Sequence, residues 1–132
     1  MPLNVPNVGE NRILEAMVNR TAPENLSLRL FINNITPSDT DTAATYTVAT
    51  FPGYANITLT GASWNAASGG SITYGSQQTF ACTGTATDDV YGYYIVQVTS
   101  GILLWSERDA AAPFAIRNNG DQVRITPTIS AD

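Results

Sequence analysis

The sequence predicts an all-β fold, a jelly-roll-like antiparallel sandwich of about eight strands with a short N-terminal helix and an extended N-terminal arm. Short runs rich in β-branched, aromatic and aliphatic residues recur at roughly ten-residue spacing from residue 26 onward. Turn pairs such as Pro52-Gly53 and Asn119-Gly120 separate these runs. Helical periodicity is confined to one segment near the N-terminus. Together these observations favour a sandwich or jelly roll.

The N-terminal residues are predicted to form two different elements. Residues 1–8, MPLNVPNV, are predicted to be a flexible arm, because proline and asparagine suit neither a helix nor an inner strand. Residues 9–132 are predicted to form a single β-sandwich domain whose helix spans residues 9–20. We expect this helix to be amphipathic and to pack against the sheet. Its apolar residues share one stripe: Ile13, Leu14, Met17 and Val18.

The strands are predicted from alternating or continuous apolar runs bounded by turn residues. Ser100-Gly101 is predicted to join two of them into a hairpin, and Asn119-Gly120 carries an even stronger hairpin signal. The predicted strand segments are 26–33, 44–50, 55–60, 71–74, 78–83, 90–98, 102–107, 113–117 and 122–129.

The hairpin YGYYIVQVTSGILLWSER (residues 91–108) has apolar residues on both faces of both strands. On the second strand, alternation places Leu103 and Trp105 on the same face. A strand of a small sandwich needs only one apolar face, and an uncovered second face favours aggregation. We therefore predict that another protein chain covers it. The predicted interface residues of the hairpin are Tyr91, Tyr93, Leu103 and Trp105.

The composition excludes several classes of partner. The chain of 132 residues is 43% hydrophobic but only 13% charged, which suggests that part of its surface is covered in the working state. Its net charge of -5 and its pI near 4.4 argue against nucleic-acid binding. No apolar run is long enough to cross a membrane, and no secretory signal precedes the helix. We expect no nucleic-acid or membrane partner and synthesis in the cytoplasm.

The residue types needed for common catalytic and metal sites are scarce. Histidine is absent, and Cys82 is the only cysteine, so a histidine-based triad or a zinc site is not expected. We predict no catalytic residue and no cofactor. Asp39 and Asp41 are weak candidates for calcium ligands, although solvated turn residues explain them equally well. A hydrolase that pairs Glu107 with a loop aspartate is a further hypothesis, but the sequence does not fix the separation of two carboxylates.

The aromatic residues of the hairpin allow two interpretations. Tyr91, Tyr93, Tyr94 and Trp105 would suit a sugar-stacking platform, or they would anchor a core and an interface. Because these residues lie in the middle of strands rather than in exposed loops, the second interpretation is favoured.

The order of several motifs resembles that of a known family. Two segments carry these motifs. The first is residues 9–59, which begins GENRILEAMVNRTAPENL, and the second is residues 91–129, which runs from the hairpin to NNGDQVRITPTI. Their most specific pieces are ATYTVATFPGY (44–54), GILLWSERDAAAPF (101–114) and NNGDQVRITP (118–127). This layout resembles small tailed-phage virion proteins and is similar to the capsid cement, or decoration, proteins among them.

The resemblance implies a structural virion protein made in the host bacterial cytoplasm. It implies a jelly-roll homotrimer on the outer surface of the phage head that bridges neighbouring major capsid subunits, with three arms providing avidity. In that arrangement Pro2, Leu3 and Val5 of the arm would reach a neighbouring subunit. The alternative is a tail- or fibre-associated β-sandwich that recognises cell-surface glycans.

Overall fold

The computed structural model describes residues 3–131, and this part of the chain is mostly β, with ten strands in antiparallel sheets and one short N-terminal helix. The all-β, sandwich-like fold is therefore confirmed. The helix α1 spans Asn7–Met17. The strands are β1 (Leu26–Phe31), β2 (Ile57–Leu59), β3 (Ser71–Thr73), β4 (Gln78–Ala81), β5 (Asp88–Val90), β6 (Gly92–Gln97), β7 (Leu103–Arg108), β8 (Phe114–Ile116), β9 (Gln122–Ile125) and β10 (Thr128–Ser130).

One sheet dominates the fold. It has four strands in the order β2-β1-β6-β7, and its central pairing aligns Leu28 of β1 with Ile95 of β6. The other strands form the two-stranded sheets β10-β3, β4-β9 and β5-β8. A jelly roll is not confirmed, because three separate strand pairs stand where a second continuous sheet was expected.

The main core lies on the face of the four-stranded sheet that carries Leu28, Leu30 and Ile95. Phe80 of β4 and Val123 of β9 belong to the same buried cluster, so the two-stranded sheets contribute to this core. Alternation along β1 and β6 sends every second side chain into it. This packing forms the sandwich.

The opposite face of the four-stranded sheet is covered by the chain itself. Phe31 and Tyr94 point to this face, and Tyr46 from the loop between β1 and β2 packs on both of them. The ring centroids of Tyr46 lie 4.9 Å from those of Phe31 and of Tyr94, in edge-on and stacked arrangements respectively. Aromatic pairs in these geometries are favourable beyond their buried area. The second apolar face of the sheet therefore needs no other chain.

A bulge changes the faces of β7. Ile95 pairs with Trp105, but the next residue, Val96, pairs with Leu103, so Leu104 is an extra residue. As a result Trp105 joins the main core while Leu103 joins the cluster around Tyr94. The prediction that Leu103 and Trp105 share a face is wrong, because strict alternation does not survive the extra residue.

The described residues of the predicted flexible arm are docked against the rest of the chain. The backbone of Asn4 pairs with Ser106 of β7, with N–H to O distances of 2.8 and 2.9 Å, and Pro6 is fully buried. The helix begins at Asn7 rather than at residue 9 and ends at Met17 rather than at residue 20. Residues 3–6 thus protect the edge of β7, which would otherwise expose unpaired backbone groups.

Two other predictions of local structure are corrected. Segment 44–50 is not a strand, because it contributes a short 3-10 turn, Ala43–Thr45, and a single bridge between Val48 and Phe31. Asn119-Gly120 forms a turn with a positive φ of 97° at Gly120, but the strands on either side belong to different sheets. The predicted hairpin at Ser100-Gly101 is confirmed, since β6 and β7 pair directly across it.

Candidate functional site

Three of the four predicted interface residues of the hairpin are buried within one chain. Tyr93, Leu103 and Trp105 are exposed by only 6%, 1% and 3%. Their assignment to an interface between chains is therefore wrong, because both faces of the hairpin are covered by other parts of the same chain. Tyr91 is half-buried, and the guanidinium of Arg108 lies 5.0 Å from its ring centroid. This is cation–π geometry within the chain.

The predicted arm contacts have a similar outcome. Leu3 and Val5 are half-buried and pack against the main core. They therefore do not project toward a neighbour as the arm hypothesis required. Pro2 lies outside the described residues.

The predicted sugar-stacking platform is not formed. Tyr94, like Tyr93 and Trp105, is buried, and Tyr91 is only partly accessible. All Phe, Tyr and Trp residues of the chain lie within residues 3–131, and each is buried or half-buried. The hairpin aromatics therefore do not form an exposed surface on which a sugar could stack.

One of the two candidate calcium ligands, Asp41, belongs to a hydrogen-bond network around the buried Tyr46 hydroxyl. The carboxylate of Asp41 accepts bonds from the Ser38 N–H, the Ser38 hydroxyl and the Tyr46 hydroxyl, the last at 2.7 Å. The Tyr46 oxygen also lies 2.7 Å from the hydroxyl of Ser106. Burial and the charge of Asp41 raise the pKa of Tyr46, so Tyr46 stays a neutral donor. Asp39 is exposed, and within residues 3–131 no group of three or more possible metal ligands converges.

Most of the exposed large apolar side chains lie in or directly after α1 rather than in the hairpin. Leu14, Met17 and Val18 are exposed by 56%, 73% and 67%, and Ile13 beside them is also exposed. We call these four residues the α1 apolar face, although Val18 directly follows the last residue of the helix. They are the stripe that was expected to pack against the sheet, and this expectation is wrong. Periodicity detected the stripe, but it did not indicate which side of the helix faces β7.

The other side of α1 meets β7 through Gly9. A Cβ atom at this position would contact the carbonyl oxygen of Leu104 and would lie 2.9 Å from that of Leu103. Only glycine permits so close an approach of a helix to the strand backbone. The contact occurs at the β7 bulge, which explains why a small residue, rather than the apolar stripe, faces the sheet.

Polar contacts fix the orientation of α1. The guanidinium of Arg12 donates to Gln97 at 2.8 Å and to Glu24 at 3.2 Å. The other oxygen of Glu24 accepts from the N–H groups of Thr99 and Ser100 in the β6–β7 turn. Burial alone would raise the pKa of Glu24, but the hydrogen bonds from Ser100 and Thr99 outweigh it and lower the pKa below 4.5. This network keeps the α1 apolar face turned outward.

A second feature is a cleft of about 190 Å3 between the ends of β7 and β9. Glu107, Asp109 and Arg124 line it together with Phe114, and we call it the β7–β9 cleft. The hydroxyl of Tyr93 donates to Glu107 at 3.0 Å. Burial, and then the charge of Glu107, raise the pKa of Tyr93, which stays a neutral donor. Sequence reasoning named Glu107 without its neighbours, because three separate strands or loops bring them together.

Comparisons with known proteins give no match from which a family could be assigned. No protein-family model matches the chain, and no curated protein matches it. Among residues 3–131, no helix is both long enough and apolar enough to span a lipid bilayer.

Proposed function

We propose that the protein is a structural virion protein, a capsid cement or decoration protein that forms a homotrimer and bridges neighbouring major capsid subunits on the outside of a phage head. The observation that carries the proposal is the α1 apolar face, which a small single chain leaves uncovered. The homotrimer and its place on the phage head are inferred from the resemblance of the sequence to the cement proteins. The virion surface is the proposed location.

The α1 apolar face supports self-association in particular. A protein that is made free and then added to a shell exposes this surface before it meets the shell, which favours aggregation unless like copies cover it. Three copies of α1 around a threefold axis would bring Leu14 and Met17 of each copy together. Arg12 and Gly9 hold the other side of the helix against the rest of the chain. The apolar side therefore already faces outward before the copies meet. The remaining surface is then available to capsid subunits.

The oligomeric state tests this contact. We expect light scattering after size exclusion to give a mass of three chains of 14.1 kDa for the unaltered protein. The double variant Leu14→Ser/Met17→Ser should give a single chain that still unfolds cooperatively, because both side chains are exposed in the isolated chain and neither is needed for its core. Val98→Ser is the matched control, since Val98 is an exposed valine outside α1. A monomeric unaltered protein, or a trimeric double variant, would reject the proposed contact.

The position in the particle tests the function itself. Mass spectrometry of separated heads and tails should find the protein with the heads, and heads that lack it should release DNA at a lower temperature. Equal heat sensitivity with and without the protein would reject the cement role.

The alternative proposal is a tail- or fibre-associated module that recognises cell-surface glycans. Recovery of the protein with the tails in the same fractionation would favour it. Such a role would have to use a site other than the buried hairpin aromatics Tyr93, Tyr94 and Trp105.

A further inference from the structure

Charged groups of opposite sign face the β7–β9 cleft without forming an ion pair. Within residues 3–131, neither Glu107 nor Asp109 has an arginine nitrogen within 4.0 Å. Arg124 instead donates to Gln122 on its own strand, through Nε and one terminal nitrogen. Both signs of charge therefore border one cavity of about 190 Å3 with a gap between them. A ligand that accepts from the guanidinium and donates to the carboxylates would bridge this gap.

The two carboxylates are held in place by the fold. Glu107 is half-buried, and the Tyr93 hydroxyl occupies one of its oxygens at 3.0 Å. Because Tyr93 is itself buried in the core, its hydroxyl holds the Glu107 carboxylate in a fixed position. One oxygen of Asp109 accepts from the N–H of Ala111 at 2.8 Å. In each case the second oxygen has no hydrogen-bond donor among the described residues, which leaves it available to a ligand.

The walls of the cleft combine polar and apolar groups. The side chain of Phe114 is half-buried, and Val123 and Ile125 lie beside it in the lining. Thr128 also lines the cleft, and its hydroxyl lies 3.0 Å from that of Thr73. Small-ligand sites are typically lined by apolar side chains with a few placed polar groups. The volume is below the range for drug-sized ligands and suits a single ring.

We propose that the β7–β9 cleft binds one neutral sugar residue of a polysaccharide. The hydroxyls of a sugar both donate and accept, so they satisfy Glu107, Asp109 and Arg124 together, while a C–H face of the ring packs on Phe114. A zwitterion such as a free amino acid meets the same charges, but it must lose the hydration of two full charges to enter, which costs more than desolvating hydroxyls. The inference does not depend on whether the protein lies on the head or on the tail.

Saturation-transfer NMR on the full chain tests the site. The probes are the methyl glycosides of glucose, galactose, mannose and N-acetylglucosamine, with glycine and alanine as zwitterionic probes. We expect at least one glycoside to bind, with a dissociation constant on the order of 1 mM, as for other single-ring contacts of this size. Asp109→Asn and Arg124→Gln should each weaken binding about tenfold or more. The matched controls Asp39→Asn and Arg20→Gln make the same charge changes outside the cleft and should leave the affinity unchanged.

Three results would overturn the proposal: no glycoside binds, a glycoside binds equally well to the cleft variants, or glycine or alanine displaces the glycoside. Asp109 and Arg124 are both exposed, so the variants should remain folded, and their unfolding midpoints check this.

Discussion

The β6–β7 hairpin and helix α1 differ in how their apolar residues are covered. The hairpin has apolar side chains on both faces, and the chain covers both, with Trp105 in the main core and Leu103 under the loop that carries Tyr46. Helix α1 has only one apolar stripe, and that stripe is exposed. The amount of apolar sequence in an element therefore does not reveal where a partner binds. What matters is whether the same chain supplies a second layer.

The largest expected difference between the two regions is in stability. Trp105→Ala should lower the free energy of unfolding by about 3–5 kcal/mol, because it leaves a cavity in the main core. Met17→Ala on α1 should change it by less than about 0.5 kcal/mol when the protein is dilute enough to be a single chain, because Met17 is exposed there. Urea unfolding measures both. Equal losses for the two variants would contradict the contrast between a covered hairpin and an uncovered helix.

Trp105→Phe sharpens this comparison. The indole nitrogen of Trp105 is buried near the Tyr93 hydroxyl and makes no hydrogen bond of good geometry within the described part of the chain. Phenylalanine keeps part of the packing and removes this unsatisfied group, whose burial is costly. The loss should therefore be clearly smaller than for Trp105→Ala. A loss of the same size would contradict the interpretation that the nitrogen is left unsatisfied.

The next effect concerns the junction between the two regions. Gly9→Ala places a methyl group against the backbone of Leu103 and Leu104, which cannot move without disturbing β7. Alanine is the better helix former by about 1 kcal/mol, but a forced shift in packed structure costs about 1–3 kcal/mol. We expect net destabilisation of up to about 2 kcal/mol in urea unfolding. The control Gly61→Ala meets no atom within 4 Å and should be nearly neutral, and a stabilising Gly9→Ala would reject the close contact.

The smallest effect is the pH dependence of the tie between α1 and the hairpin turn. Because the pKa of Glu24 is lower in the folded chain than its ordinary value of 4.5, its contribution is fully present above pH 4.5 and is lost as the pH falls through the folded pKa. Thermal unfolding should show Glu24→Gln to be less stable than the unaltered protein at pH 7, with a difference that shrinks toward pH 3. Glu10→Gln, an exposed change on α1 itself, is the control. A difference that does not vary with pH would contradict this role for Glu24.

Local patterns predicted much of the secondary structure. The alternation in residues 26–33 and the turn at Ser100-Gly101 identified β1 and the β6–β7 hairpin, since the pattern of period two directly reflects which side chains are buried. Segment 44–50 has the same kind of alternation, but only Val48 bridges β1 there. Whether a strand-like segment finds a full-length partner depends on distant residues, which local pattern does not specify.

The candidate sites were harder to predict for the same reason. The hairpin was assigned to an interface because the sequence does not show that Tyr46, far along the chain, packs on Phe31 and Tyr94. The orientation of α1 depends on Gly9 and on the β7 bulge, and neither changes the periodicity of the helix. Glu107, Asp109 and Arg124 come together only through the tertiary arrangement.

The pairing of β1 with β6 also affects how the nascent chain acquires its fold. About sixty residues separate the two strands, so the centre of the large sheet forms only after most of the chain has been synthesised. At typical translation rates of about 5–20 residues per second, Leu28 and Leu30 leave the ribosome roughly 3–13 seconds before their partners in β6. Strand β2 emerges earlier but pairs only with residues 26–28. During that interval the first strand is a natural client for chaperones that bind extended apolar segments.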